Sequence, residues 1–136
     1  MTPSSIIFHD NFVFHDGSIG KKYLIILGSH EGQSVAVKTT SKGLRYLLDY
    51  GCQIAHRFPN FHLVAGCCCF PLPTWVCFGE FYLFMHSDLI AKHFKSEVFK
   101  YGELDVKIFD ELIKCVLKSD DIPTFHAEII IKSLSN

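Results

Sequence analysis

The sequence predicts an α+β protein, in which antiparallel strands form a small, strongly bent β-barrel and C-terminal helices follow. Short segments rich in β-branched and aromatic residues, separated by glycine and proline turns, occupy residues 6–85. Residues 87–136 differ, because apolar residues recur there at helical spacing. A chain of 136 residues is long enough for one core, so we expect a single domain over 1–136, β-rich at 6–85 and helical at 87–136.

The first third of the chain predicts an antiparallel meander. Residues 8–14 form a short strand, and 15–20 form a loop with two glycines. Lys21 and Lys22 then open a second strand, which is apolar on both faces as far as Leu27. A hairpin loop of five residues at 28–32 leads to a third strand within 33–43.

The remaining elements are predicted from turn residues and periodicity. Residues 44–50 fit a helical turn or a loop, and 51–60 an irregular connection. Strands are expected at 61–65, 74–78 and 81–84, with Pro71-Leu72-Pro73 at an edge or bulge. A helix capped by Ser87, a turn at 97–102 and an amphipathic helix over 105–118 follow, and Ile129-Ile130-Ile131 fits a strand or a last helical segment.

Composition narrows the class of protein. Apolar residues make up 49% and charged residues 20% of the chain, which is typical of a globular protein. The net charge of −1 provides no global basic field of the kind that nucleic-acid-binding proteins often carry. The N-terminus has no basic start followed by an apolar run, and three prolines interrupt the apolar stretch 58–84. These features predict a cytoplasmic protein that does not enter the membrane.

The six cysteines allow two interpretations. Without a secretory signal, reduced thiols that pack as small apolar groups are expected. The alternative is a zinc site, although no C-x2-C or H-x3-5-H pair occurs. The residues available to it are Cys52, His56, His62, Cys67, Cys68, Cys69 and Cys77.

Cations and hydroxyls coincide at one end of the predicted meander. Lys21 and Lys22 begin the second strand, and the third strand ends in a polar cluster comprising Lys38, Thr39, Thr40, Ser41 and Lys42. In an antiparallel hairpin the start of one strand lies beside the end of its partner, so the two groups should meet. Such a group suits a phosphate. Because strand residues alternate between faces, only one of the two lysines can point into the site.

The segments 20–27 and 35–42 together resemble the PemK/MazF-like toxin family of toxin–antitoxin systems, with motif similarity over about residues 8–45. The resemblance implies an SH3-like barrel. It also implies a sequence-selective endoribonuclease that acts without a metal or other cofactor, usually as a homodimer blocked by an antitoxin protein.

The resemblance also implies roles for individual residues. Lys21 or Lys22 stands where the family has a phosphate-facing arginine, and Thr40, with Ser41 beside it, stands for the hydroxyl residue at the strand end. Lysine supplies a point charge in place of a bidentate contact. His15, in the loop before Lys21, is a candidate base or acid by its location. Thr39, Lys38, Lys42 and Arg45 are candidate RNA contacts.

Three functions follow as hypotheses from these residues. The first is an endoribonuclease toxin that cleaves single-stranded RNA through its 2′-hydroxyl group. The second is a catalytically inert barrel that binds protein or nucleic acid. The third is the cysteine–histidine zinc protein. Trp75 is expected in the core, whereas an exposed Trp75 would indicate a stacking surface.

Overall fold

The structure is a computed structural model and describes residues 2–67 and 69–135; Cys68, one of the candidate zinc ligands, lies outside the described residues. Within these ranges the chain forms an antiparallel sheet of seven strands with three helices. The strands are β1 (Ser5–Val13), β2 (Ile19–His30), β3 (Gln33–Thr40), β4 (Gly51–Gln53), β5 (Asn60–Leu63), β6 (Thr74–Met85) and β7 (Val98–Glu103). The helices are α1 (His86–Phe94), α2 (Val106–Lys118) and α3 (Thr124–Leu134).

The predicted α+β class and the antiparallel meander are confirmed. The strand order is β4-β5-β6-β3-β2-β1-β7, and every pairing given for these strands is antiparallel. The sheet does not close on itself across the described residues, because β4 and β7 stand at its two ends. The closed barrel is therefore not confirmed.

Strand β2 is apolar on both faces because both faces are covered. Ile25 and Leu27 belong to the larger core, to which α2 and α3 contribute. Leu24 and Ile26 belong to a smaller core on the opposite face, which includes Leu89 of α1. The alternation of neighbouring residues between the two cores fixes the register of the sheet, since a slip by one residue would exchange the faces.

Turn and bulge geometry changes several predicted boundaries. The β2–β3 turn consists of only Glu31 and Gly32, both at positive φ, as a two-residue hairpin requires, so the predicted loop at 28–32 was too long. The predicted strands 74–78 and 81–84 are one strand, β6, whose register against β3 is interrupted by a bulge. Two short edge strands were missed: β4 lies in the predicted irregular connection, and β7 replaces the predicted turn at 97–102.

The helices agree with the sequence prediction except at one terminus. Helix α2 is confirmed, and its first turn is capped by the Asp105 carboxylate, which accepts a hydrogen bond from the Lys107 backbone N–H. Helix α1 begins one residue before Ser87 and has no side-chain cap, so the predicted Ser87 cap is wrong. Residues 129–131 lie in α3, where Ile129 and Ile130 are buried, so the helical alternative is the one found.

The expectation of reduced cysteines is wrong for one pair. Cys52 of β4 and Cys115 of α2 form a disulfide whose Cα atoms lie 5.7 Å apart. Their separation of 63 residues placed them in different predicted elements, so only the tertiary packing of α2 against β4 brings them together.

None of the helices in the described part of the chain is long and apolar enough to cross a bilayer.

Gly28 allows α3 to pack tightly on β2 and provides a test of this packing. A Cβ atom added at Gly28 would lie 2.9 Å from the Cα atom of Ile130, which is closer than packed carbon atoms allow. Gly28→Ala must therefore push α3 away, and we expect it to lower the free energy of unfolding by about 1–3 kcal/mol in urea titrations. Gly79→Ala is the matched control because an added Cβ there meets nothing within 4 Å. Equal losses in the two variants would contradict this packing.

Candidate functional site

The predicted cluster of cations and hydroxyls is found at the open end of the β2–β3 hairpin. Leu24 pairs with Lys38, and both side chains belong to the face that carries the smaller core. Continuing this register by two residues places Lys22 beside Thr40 on the same face. There the apolar face ends in a polar cleft of about 590 Å³, here called the hydroxyl groove. It is lined by Phe14, His15, Asp16, Ser18, Lys22, Lys38, Thr40, Ser41, Lys42, Gly79 and Glu80.

The structure distinguishes the two lysines. Lys22 lines the hydroxyl groove, and burial lowers the pKa of its ammonium group, with the charge of Lys38 lowering it further. Lys21 does not line this groove. Its side chain is 74% exposed, and its Nζ lies 3.9 Å from a carboxylate oxygen of Asp10. Lys22 is therefore the lysine that lines the hydroxyl groove. Lys21 lines a neighbouring cleft of about 350 Å³, which also includes Lys22, Thr39, Thr40 and Ser41.

The hydroxyl residues at the end of β3 also point to different faces of the sheet. Thr40 and Ser41 line the hydroxyl groove, and the Thr40 Oγ1 accepts a hydrogen bond of 3.1 Å from the backbone N–H of Lys42. Thr39, on the opposite face, is buried, and its hydroxyl donates to the backbone carbonyl of Tyr23 at 2.8 Å. Thr40 and Ser41 can therefore meet a ligand in this groove, whereas the Thr39 hydroxyl is used to join β3 to β2.

A carboxylate that the sequence analysis missed lies beside the cations. The Lys38 Nζ donates to the Glu80 Oε1 at 2.9 Å, and the Tyr82 hydroxyl donates to Oε2 at 2.9 Å. Partial burial alone would raise the pKa of Glu80, but these two hydrogen bonds and the Lys38 charge lower it. Glu80 is thus held ionised, with both oxygens oriented.

A β-bulge brings Glu80 to this position. Val37 pairs with Phe81 whereas Lys38 pairs with Cys77, so β3 advances by one residue while β6 advances by four. The three residues 78–80 are therefore left outside the register. Bulges bend a strand and redirect its side chains, and here the bulge turns Glu80 towards Lys38. The Gly79-Glu80 pair between two aromatic runs was the only signal in the sequence.

His15 borders the groove from the β1–β2 loop. Its exposed ring lies against Tyr82, with 4.4 Å between ring centroids. The loop itself is ordered by Asp16, whose carboxylate accepts from both the backbone N–H and the hydroxyl of Ser18. The Lys38 Nζ lies 5.3 Å from the centroid of the Phe14 ring, so an aromatic ring lies beside the charged residues of the groove.

Arg45 lies outside the hydroxyl groove in an adjoining cleft of about 610 Å³, here called the arm groove. Its guanidinium stacks over the ring of Phe58 at 4.3 Å. The two grooves share Lys38, Thr40, Lys42, Gly79 and Glu80, so they form one continuous depression. The residues specific to the arm groove are Leu44, Arg45, Tyr46, Arg57, Phe58, Pro59, Cys77, Phe78 and Asp121.

The charges of the hydroxyl groove favour a small anionic group. Three lysines face two carboxylates, those of Asp16 and Glu80, and Glu80 is already paired with Lys38. Lys22 and Lys42 therefore remain for a ligand, with the hydroxyls of Thr40 and Ser41 between them. Ammonium groups and hydroxyl donors together bind phosphate oxygens.

The zinc hypothesis has little geometric support. Cys52 is bonded to Cys115 and so cannot ligate a metal, and the His62 ring packs in the core on buried Trp75. Among residues 2–67 and 69–135, no group of three or more His, Cys, Asp or Glu side chains could hold a metal ion. The burial of Trp75 agrees with its expected place in the core.

A scan against models of known protein families finds no match to this chain, and a search of curated proteins finds no significant match. Function must therefore be inferred from the groove itself and from the motif around the β2–β3 hairpin.

The ion pair between Lys38 and Glu80 predicts a defined dependence of stability on pH. The pKa of Glu80 in the folded protein lies below its ordinary value of 4.5, so ionised Glu80 stabilises the fold at higher pH. This contribution is lost as the pH falls through the folded-state pKa. We expect Glu80→Gln to cost about 1 kcal/mol of unfolding free energy near pH 7 and almost nothing once the wild-type carboxylate is protonated.

Urea titrations at a series of pH values measure this difference. Asp110→Asn is the matched control, because its ion pair with Lys114 is exposed on α2 and should contribute little at any pH. A cost of Glu80→Gln that did not change between neutral and acid pH would show that the charge of Glu80 is not what stabilises the bulge.

Proposed function

We propose that the protein is a metal-independent endoribonuclease of PemK/MazF type, which cleaves single-stranded RNA through the 2′-hydroxyl group of the substrate. The observation that carries this proposal is the hydroxyl groove, in which Lys22 lines the same cleft as Thr40, Ser41 and the ionised Glu80. The groove combines an anion site with a carboxylate base, which are two of the three requirements of this reaction, and His15 lines it as a candidate acid.

Glu80 acts as the general base in this mechanism. Its carboxylate is ionised at neutral pH, and the hydrogen bonds from Lys38 and Tyr82 fix its orientation. It removes the proton of the 2′-hydroxyl, and the resulting oxyanion attacks the adjacent phosphorus. Because DNA lacks this hydroxyl, the reaction is restricted to RNA.

Lys22 stabilises the charge that develops on the phosphorane. Its ammonium is partly desolvated, so its interaction with a dianionic transition state is stronger than that of an exposed lysine. The hydroxyls of Thr40 and Ser41 donate to phosphate oxygens and set the position of the scissile group. Lys42 extends the positive edge of the groove towards the next phosphate.

His15 is assigned to the leaving group. It lines the same groove as Ser41, so a phosphate bound there lies near the imidazole, which donates its proton to the 5′-oxygen. Protonation of this oxygen completes the transfer and leaves a 2′,3′-cyclic phosphate on the upstream fragment.

The family assignment is part of this proposal. We infer that the seven-stranded sheet, which is open across the described residues, is a variant of the SH3-like barrel of PemK/MazF type. We also infer that the protein acts as a homodimer in the cytoplasm under control of an antitoxin protein. Support comes from the motif at residues 20–27 and 35–42, whose lysine and threonine meet in one groove.

One observation favours the second candidate, a catalytically inert RNA- or protein-binding module. Lysine provides one point contact to phosphate where a guanidinium would provide two, and Lys38 is already neutralised by Glu80. Such a module would bind through the continuous depression of the hydroxyl and arm grooves without cleaving its ligand.

Cleavage assays on purified variants test the proposal. With single-stranded RNA in the presence of EDTA, we expect Lys22→Ala to lower kcat/KM by about 10²–10³-fold, because it removes the charge that stabilises the transition state. Glu80→Gln should lower the value by about 10²–10⁴-fold, as expected for loss of a general base.

Lys21→Ala is the matched control. It removes the same charge one residue away, from an exposed side chain that lines the neighbouring cleft and not the hydroxyl groove, and should change kcat/KM by less than about threefold. Intact RNA with wild-type protein would overturn the enzymatic proposal. Tight binding of that uncleaved RNA would support the inert module.

A further inference from the structure

The disulfide joins α2 to the segment that borders the arm groove. Residues 41–58, here called the arm, connect β3 to β5 and include β4. Cys52 of the arm is bonded to Cys115, and the Tyr50 hydroxyl donates to the Glu111 carboxylate at 2.8 Å. Positions 111 and 115 are one helical turn apart, so both links attach the arm to one face of α2.

These links connect two walls of the arm groove. One wall is formed by side chains of the arm, among them Arg45, Tyr46 and Phe58. Asp121, which follows α2 after a short turn, lines the same groove. The position of the arm relative to α2 therefore sets the distance between the arm and Asp121, and β3 and β6 line the rest of the groove.

The other contacts of the arm are side-chain packing and short edge pairing. In its first half, the Trp75 indole N–H donates to the carbonyl of Leu47 at 2.8 Å, and Tyr46 stacks on the same ring. Leu44 and Leu48 are exposed, so this half buries little apolar surface. In the second half, β4 contributes three residues at the edge of the sheet, and its pairing with β5 is short. Tyr50 packs on Phe61, and the partly buried Ile54 packs against the larger core. Short edge elements with little burial open readily, so the disulfide supplies much of the restraint on this half.

The disulfide is accessible to a reductant. Cys52 is exposed, and a cleft of about 260 Å³ exposes the bond. Lys114, Lys118 and Glu111 line this cleft. Lys114 is paired with Asp110 and Glu111 accepts from Tyr50, so Lys118 is the cation left to favour a thiolate at the site. A thiolate reagent can therefore approach the Cys52 sulfur, while the buried Cys115 is the leaving group.

We propose that the Cys52–Cys115 disulfide is a redox switch that fixes the arm when oxidised and releases it when reduced, and so controls ligand binding in the arm groove. The reductant is a dithiol. One of its thiolates attacks the Cys52 Sγ to form a mixed disulfide, and Cys115 leaves as a thiolate and takes up a proton. The second thiol of the reductant then attacks the mixed disulfide, so the reductant leaves as its own disulfide and Cys52 becomes a thiol.

Regulation of RNA binding by this switch rests on the proposed function, but release of the arm does not. In a reducing compartment a disulfide is transient and suited to sensing redox state, which fits a protein acting in the cytoplasm. The oxidised form has the complete groove and is the form that binds RNA.

Hydrogen–deuterium exchange on the full chain tests the release of the arm. We compare the oxidised protein with the protein in dithiothreitol, and expect amides of residues 41–58 to exchange about tenfold or more faster after reduction. Peptides from α3 serve as the internal reference and should not change. The Cys52→Ser/Cys115→Ser double variant should resemble the reduced wild type and no longer respond to dithiothreitol. Tyr50→Phe, which removes only the hydrogen bond to Glu111, should keep the response.

RNA affinity is measured on the same samples with the Glu80→Gln variant, which separates binding from cleavage. Faster exchange of the arm with an increase in Kd of about tenfold on reduction supports the switch. Equal exchange of the arm in both redox states overturns it, even if the protein cleaves RNA. Faster exchange with no RNA bound in either state supports the release of the arm and counts against the proposed function. If the double variant does not fold, the comparison of oxidised with reduced wild-type protein is sufficient to test the release of the arm.

Discussion

The candidate site depends on the irregular pairing between β3 and β6. Val37 pairs with Phe81 and the next residue, Lys38, pairs with Cys77. Residues 78–80 of β6 therefore have no partner on β3 and form a bulge. This bulge turns Glu80 onto Lys38, which neutralises one lysine and leaves Lys22 and Lys42 for a ligand. A regular ladder would have kept Glu80 in strict alternation along β6, without the redirection that the bulge supplies. The same irregularity connects the hydroxyl groove with the arm groove.

Local sequence patterns correctly predicted strand β2, the β2–β3 hairpin and helix α2. The two apolar faces of β2, the β2–β3 hairpin and helix α2 follow from short-range periodicity, and all three are found. The meeting of Lys22 with Thr40 also follows, because strand pairing in a hairpin is a local property. The prediction that the two lysines point to opposite faces follows from alternation alone, and Lys22 is the one of the two that lines the hydroxyl groove.

Features that depend on tertiary contacts could not be predicted in this way. Glu80 lies in the groove because of a bulge in β6. The position of a bulge and the number of residues it leaves unpaired cannot be read from a single sequence. The pairing of Cys52 with Cys115 depends on how α2 packs against an edge strand 63 residues earlier in the chain. Strands β4 and β7 are short and half exposed, so their sequences lack the alternation that marks a buried strand. The edges of the sheet, and hence the open sheet found in the described part of the chain, could not be predicted for the same reason.

The most direct test of the central claim uses a single-stranded oligonucleotide of deoxyribonucleotides that contains a short run of ribonucleotides. The purified oxidised protein is incubated with it in EDTA, and the products are identified by mass spectrometry. Our account predicts cleavage only on the 3′ side of a ribonucleotide, with a 2′,3′-cyclic phosphate on the upstream fragment and a free 5′-hydroxyl on the other. No cleavage, or cleavage that continues when every 2′-hydroxyl is absent, would contradict it.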